Sequence, residues 1–187
     1  TEHASNAIAV RFYTGGETTE NALDFLMWMM TQRHDPQGNP MPLHGVPFML
    51  YTDQGGCFKS APFRNFCSAM GIKQEWHKPR NSRATGQVEV SQNIAERGFE
   101  SRLRFLDPET ITIARLNAMA ELWMHKRNGT KKHSRHGMQP YAAWSTITTE
   151  HLRIAPSMEL MRSLPASLAE PRQVSGYRCP REYGPQS

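Results

Sequence analysis

The sequence predicts an α/β fold, and three observations carry the prediction. Residues 7–13 (AIAVRFY) are β-rich and close on Gly15-Gly16, the composition of a strand. Residues 46–51 (VPFMLY) form a short continuous apolar run, the pattern of a strand buried on both faces. Helical stripes lie between and after them, so strand and helix alternate along the chain. At 187 residues there is room for one sizeable core and a smaller appendage, but not for two full domains.

Taken in order, Thr18 is the N-cap of a first helix, with Glu20 in the first turn to complement its dipole. Leu23, Leu26, Met27 and Met30 fall at i, i+3, i+4 and i+7, which predicts a buried stripe, with the methionines as core filler. Pro36, Gly38, Pro40, Pro42 and Gly45 make 34–45 a loop. After the apolar run come the turn 52–56, a short helix over 61–70 ended by Gly71, a second short strand over 72–77, and a loop over 79–86. From Gly86 a helix sets Val88, Ala95, Phe99, Leu103 and Leu106 on one face, with Glu89, Asn93, Glu96 and Glu100 beside it. Asp107-Pro108-Glu109 opens the next helix, whose predicted buried face is Ile113, Leu116, Ala120 and Trp123. Pro140, Pro156, Pro165 and Pro171 divide the remainder into short pieces. The expected domains are a core over 1–128, a basic, proline-broken helical linker over 129–170, and the start of a small β-barrel over 171–187.

Hydrophobic residues make up 38% and charged residues 21%, a globular composition. Lys and Arg total 22 against 17 Asp and Glu, and the net charge of +5 suits a polyanionic partner. Cys57, Cys67 and Cys179 have no CxxC spacing, which argues against a zinc ribbon or a disulfide framework and for free thiols in a reducing cytoplasm. No run reaches the ~18 apolar residues of a membrane span, and no signal-peptide pattern opens the chain. Ser5, Ser60 and Cys57 have no evident His partner for a nucleophilic triad.

Two acids draw the functional reading. Asp53 follows a buried strand, where open α/β sheets place their functional groups. Glu89 sits in the first turn of an amphipathic helix, beside its apolar stripe. The 35 residues 54–88 between them hold a turn, a helix, a strand and a loop, a connection able to bring both carboxylates to one hard cation such as Mg²⁺. On spacing alone an ordinary turn Asp and an ordinary helix-start Glu remain an open alternative.

Tyr51-Thr52-Asp53-Gln54-Gly55 with Phe58, and Gly86-Gln87-Val88-Glu89 with Asn93, resemble the second and third acid motifs of the retroviral integrase and DDE transposase superfamily, at that family's 35-residue spacing. His3-Ala4-Ser5, residues 7–13 and Gly16-Glu17-Thr18 resemble the integrase segment between the first and second acids, and residues 66–73 its helix and strand before the mobile loop. Residues 96–103, Leu116-Asn117, 123–128 and 151–156 are similar to the Mu and TnsB/TniA-type bacterial transposases. The resemblance implies a ribonuclease H-like mixed sheet flanked by helices, lacking its first strand or strands, with a C-terminal linker of short helices. It implies two-metal phosphoryl transfer, with two Mg²⁺ ions (Mn²⁺ as substitute), that cuts transposon 3′ ends and joins them to target DNA. Asp53 and Glu89 would be catalytic metal ligands. The family's first aspartate lies upstream of the segment matching His3-Ala4-Ser5, so the 187 residues alone are expected to lack strand-transfer activity. Cleavage of transposon-end DNA by this chain with Mg²⁺ would contradict that.

The partners implied are transposon-end and target DNA, further copies of the chain on DNA and an ATPase, in a bacterial cytoplasm at the nucleoid. Lys78, Arg80 and Arg83 around the 79–86 loop, and Asn93 and Arg97 on the following helix, are candidate DNA contacts. Lys126, Arg127, Lys131 and Lys132, in the densest basic stretch, are further ones. Solvated basic surface is the plain reading of these groups, and packing is that of Trp76 and Trp144. Two other readings are a structure-selective ribonuclease H-like nuclease that cuts without joining and a non-catalytic DNA-binding remnant of a mobile element.

Overall fold

The computed structural model describes residues 1–35, 37–76, 90, 92–134 and 136–167. The predicted loop 79–86, the start of the helix at Gly86, Cys179 and the segment 171–187 lie outside them.

The first helix, α1 (Thr19–Met30), forms as its sequence dictates. Thr18 Oγ1 accepts from the Asn21 amide, and Leu23, Leu26, Met27 and Met30 are its buried residues. Strand β1 (Met49–Thr52) leads through α2 (Gly56–Lys59) and α3 (Ala61–Ala69) into β2 (Lys73–Trp76). The strands pair in parallel, with Met49 opposite Lys73 and Thr52 opposite Trp76, and the helical crossover supplies the reach a parallel pair needs. Ser60 caps α3, its hydroxyl accepting from the Phe63 amide, and Gly71 follows the helix at φ +62°. One apolar cluster joins α1 and α3 with the segments leading into β1 and β2: Leu23, Leu26, Met27, Met30, Val46, Phe63, Phe66, Cys67, Met70 and Ile72.

The chain after residue 128 adds to the same core. Helix α7 (Met158–Ser167) packs on α3, and Met161 is fully buried within the cluster. Arg153 donates to the carbonyls of Pro47, Gly71 and Met70, and its own carbonyl accepts from Val46 N at 2.7 Å. Gly45 makes that approach possible: at φ +96° a Cβ there would stand 2.7 Å from Leu152 Cδ1. The expected boundary at 128 falls inside helix α5 (Ile113–Thr130), and Tyr141 of the short α6 (Pro140–Trp144) hydrogen-bonds His125 at 2.7 Å.

Helical residues 92–95 run into a π-helical turn, Glu96–Glu100, and a last turn, α4 (Ser101–Leu103). Phe99 packs between Phe12 and Trp123, and Gly98 lets Trp123 close in to 3.2 Å of where a Cβ would be. Asp107-Pro108-Glu109 makes only a 3₁₀ turn, and the following helix begins at Ile113 with Thr112 as its cap.

Two strand predictions change. Residues 8–12 form no strand among the described residues; side chains of α5 take backbone hydrogen bonds there instead. Asn128 accepts from Ile8 N (3.1 Å) and donates to Ile8 O (2.8 Å); Asn117 does the same at Phe12 (2.7 and 3.0 Å). Val10 N meets Met124 Sδ at 3.3 Å between them. The expected mixed sheet is thus a two-stranded parallel one among the described residues. The run 46–51 is not buried on both faces: within β1 Met49 and Tyr51 alternate outward, Tyr51 being 58% exposed, and Phe48 just before the strand is 61% exposed.

Candidate functional site

Asp53 directly follows β1 and is exposed. Its Oδ1 accepts from the Gly55 amide at 2.9 Å, which turns the chain and fixes the carboxylate, while its second oxygen has no hydrogen-bond donor among the described residues. Glu17, just ahead of the α1 cap, reaches the same turn. A Cβ on Gly55 would lie 2.6 Å from Glu17 Oε1 and 3.0 Å from Asp53 Oδ1, so only a glycine leaves room for both carboxylates. Cys57 donates its thiol to Glu17 Oε1 at 3.4 Å. Burial, then the Glu17 hydrogen bond and charge, push that thiol's pKa up, so it stays protonated and offers no soft thiolate to compete with the oxygens.

Glu89 and the basic residues Lys78, Arg80 and Arg83 lie outside the described residues. Among the described residues no group of three or more His, Cys, Asp or Glu is arranged to hold a metal. The donors present at Asp53 nevertheless fit a hard cation: exposed carboxylate oxygens, one of them free of donors among the described residues, beside a thiol held protonated. Glu17 was not singled out as a site residue from the sequence. Its signal is an acid directly after Gly15-Gly16 and before a helix cap, which only the fold connects to Asp53.

The other predicted residues divide. Asn93 and Arg97 line one recess of about 430 Å³ together with Val90, Ile94 and Gly98. Lys126, Lys131 and Lys132 are exposed at the C-terminal end of α5. Arg127 is drawn inward: its Nε is buried without an acceptor among the described residues, and desolvation lowers its pKa. Trp144 packs, with its ring 4.8 Å from His44. Trp76 does not follow the packing expectation; it is 40% exposed and lines a second recess, of about 260 Å³, with Gln54, Lys59 and Arg64.

No protein-family model and no curated protein matches the chain. Solved structures do. The catalytic core domain of BIV integrase superposes with a TM-score of 0.52 at 19% identity, over 76% of this chain and 80% of that one. The simian T-cell lymphotropic virus intasome, solved in complex with the PP2A regulatory subunit B56 gamma, gives 0.50 at 15% identity, over 75% of this chain and 45% of that one. At such identities the likeness is one of fold: a mixed α/β chain with a small parallel sheet and helices, similar to retroviral integrase catalytic cores. Among the described residues no helix is long and apolar enough to cross a membrane.

Proposed function

We propose that this chain is catalytic-core sequence of a DNA transposase or integrase, a polynucleotidyl transferase of the DDE type. The observation that carries the reading is Asp53, held at the end of β1 by its own turn on a fold like that of integrase cores, with Glu89 35 residues downstream. Asp53 and Glu89 hold Mg²⁺, or Mn²⁺ in its place. Bound there, divalent ions supply the acidity that activates a water or a DNA 3′-hydroxyl and the charge that stabilises the leaving oxygen in cutting and joining. The protein's share is placement: Gly55 N–H fixes one Asp53 oxygen and leaves the other to the cation. Asn93, Arg97, Lys126, Lys131 and Lys132, with Lys78, Arg80 and Arg83, neutralise DNA phosphates, and the resemblance of residues 96–103 and 151–156 to bacterial transposases favours a reaction at a mobile element's ends.

Mn²⁺ binding to the purified chain, followed by proton relaxation, tests the metal assignment. Binding should weaken at least tenfold in Asp53→Asn and in Glu89→Gln. Unchanged binding in both variants refutes the reading and favours a metal-independent DNA-binding module.

A further inference from the structure

We propose that the recess formed by Gln54, Lys59, Arg64 and Trp76 binds an unpaired nucleotide of a DNA strand, the base stacked on the Trp76 indole and the flanking phosphates on Lys59 and Arg64. The proposal rests on the reading of the chain as a DNA-processing core, and it adds a substrate subsite on the strand-end side of Asp53.

Four observations point there. First, the recess is built by the fold rather than by a loose surface loop. Gln74 donates its amide to the Phe58 carbonyl at 2.8 Å, tying β2 to α2. Trp76, two residues on and on the same side of the strand, therefore stands over the α2–α3 corner that carries Lys59 and Arg64. Second, the indole is 40% exposed at the end of a strand, where it leaves apolar area in water that a stacked base would cover. Third, the charged residues that line the recess are both cations. Among the described residues no carboxylate pairs with Lys59 or Arg64, Lys59 Nζ instead reaches Gln54 Oε1 at 3.1 Å, and Glu75 is engaged by Lys73 at 2.8 Å. Fourth, Gln54 follows Asp53 directly, so a strand lying in the recess continues past the carboxylate.

The size and chemistry select the ligand. About 260 Å³ is below the ~300–1,000 Å³ of enclosed small-molecule pockets, and the recess is open, as a site for one unit of a longer chain should be. An aromatic face combined with two cations and an amide is the combination that binds single strands, because every base has a π-face and every nucleotide a phosphate. A base inside a duplex cannot present its face to the indole, so the site discriminates against paired DNA.

The test is fluorescence anisotropy of the chain with a labelled oligodeoxythymidylate and with a duplex of equal length, in EDTA so that no metal site contributes. Trp76→Ala should weaken single-strand binding at least about fivefold, as loss of one base–aromatic stack does, and duplex binding much less. Trp76→Phe should restore most of the affinity, and thermal melting of both variants controls for folding. Lys59→Gln with Arg64→Gln should lower the slope of log affinity against log salt by about 0.7 for each phosphate released. Unchanged single-strand affinity in Trp76→Ala overturns the proposal, as does a loss seen only in the Lys59/Arg64 variant, which would leave an electrostatic patch. Inorganic phosphate that displaces the oligonucleotide at equal phosphate concentration would also overturn it, in favour of a free-anion site. Dependence on Trp76 without Mn²⁺ binding at Asp53 refutes only the metal reading, and the reverse result refutes only the subsite.

Discussion

Asn128→Ala should destabilise the chain more than any routine surface change, and the size of the loss follows from the hydrogen bonds it removes. Asn128 is fully buried in α5, and its amide accepts from the backbone N–H and donates to the backbone C=O of Ile8, a residue only 4% exposed. Truncation leaves one buried N–H and one buried C=O without partners, at about 1–3 kcal/mol each, so the expected loss is about 2–6 kcal/mol. Asn117 makes the same pair of bonds at Phe12 but is only half-buried, where water can replace the lost partner; Asn117→Ala should cost about 1 kcal/mol. Urea titration followed by circular dichroism measures both. With a slope of about 1–3 kcal/mol per molar, Asn128→Ala should lower the midpoint by roughly 1 M or more. A variant within about 0.5 kcal/mol of the parent would refute the claim that α5 side chains substitute for a neighbouring strand.

Two further outcomes follow from the same geometry. His125 is half-buried, and desolvation outweighs the attraction of Glu121 to hold its pKa below the ordinary 6.5. The unfolded chain then binds the proton first, so the stability held above pH 6.5 declines as pH falls through 6.5 toward the lowered folded-state value; His125→Gln should flatten that part of the urea-midpoint profile between pH 7.5 and 5.5. Gly55→Ala meets no backbone obstacle at φ −55°, but its methyl would stand 2.6 Å from Glu17 Oε1, the far end of a flexible side chain. Stability should change by less than about 1 kcal/mol while Mn²⁺ affinity at Asp53 falls, and a parallel loss of both would show that the glycine serves folding alone.

What could be read in advance was whatever a local rule decides. The α1 stripe, its Thr18 cap, and the helix over 61–70 ended by Gly71 follow from local rules within a dozen residues, and each stands where predicted. The α5 face shows where such rules stop. Large apolar residues picked Ile113, Leu116, Ala120 and Trp123, but Ile113 is 39% exposed, and the buried residues are Ala120, Met124 and Asn128. Asn117, Met124 and Asn128 recur at nearly whole turns and so form one line along the helix. A hydropathy pattern scores that line as mostly polar, because it cannot know that the two amides meet a backbone more than 100 residues away. Tyr51 fails for a related reason: an apolar run specifies a strand, but whether a second layer covers its outer face depends on distant parts of the chain.

The same distinction bears on Asp53. Its position is fixed by three ties of different range. The Gly55 amide is local and was readable as a turn; the Gln74–Phe58 bond joins β2 to the helix after that turn; and Glu17 arrives from the start of α1, far away in sequence. The last two come from elements whose packing belongs to the core, so loosening α1 or α3 moves Glu17 or the α2–α3 corner relative to Asp53 even though neither touches its carboxylate. A core substitution such as Met30→Ala, which empties a side chain only 1% exposed, acts on this end of β1 through that packing as well as through stability. The metal and DNA-strand affinities proposed for this end of the sheet would therefore both depend on the integrity of one apolar cluster, and a loss of both together in a core variant would say nothing about either set of ligands. Only the paired substitutions at Asp53 and at Trp76, which leave that cluster intact, separate the chemistry of the site from the fold that carries it.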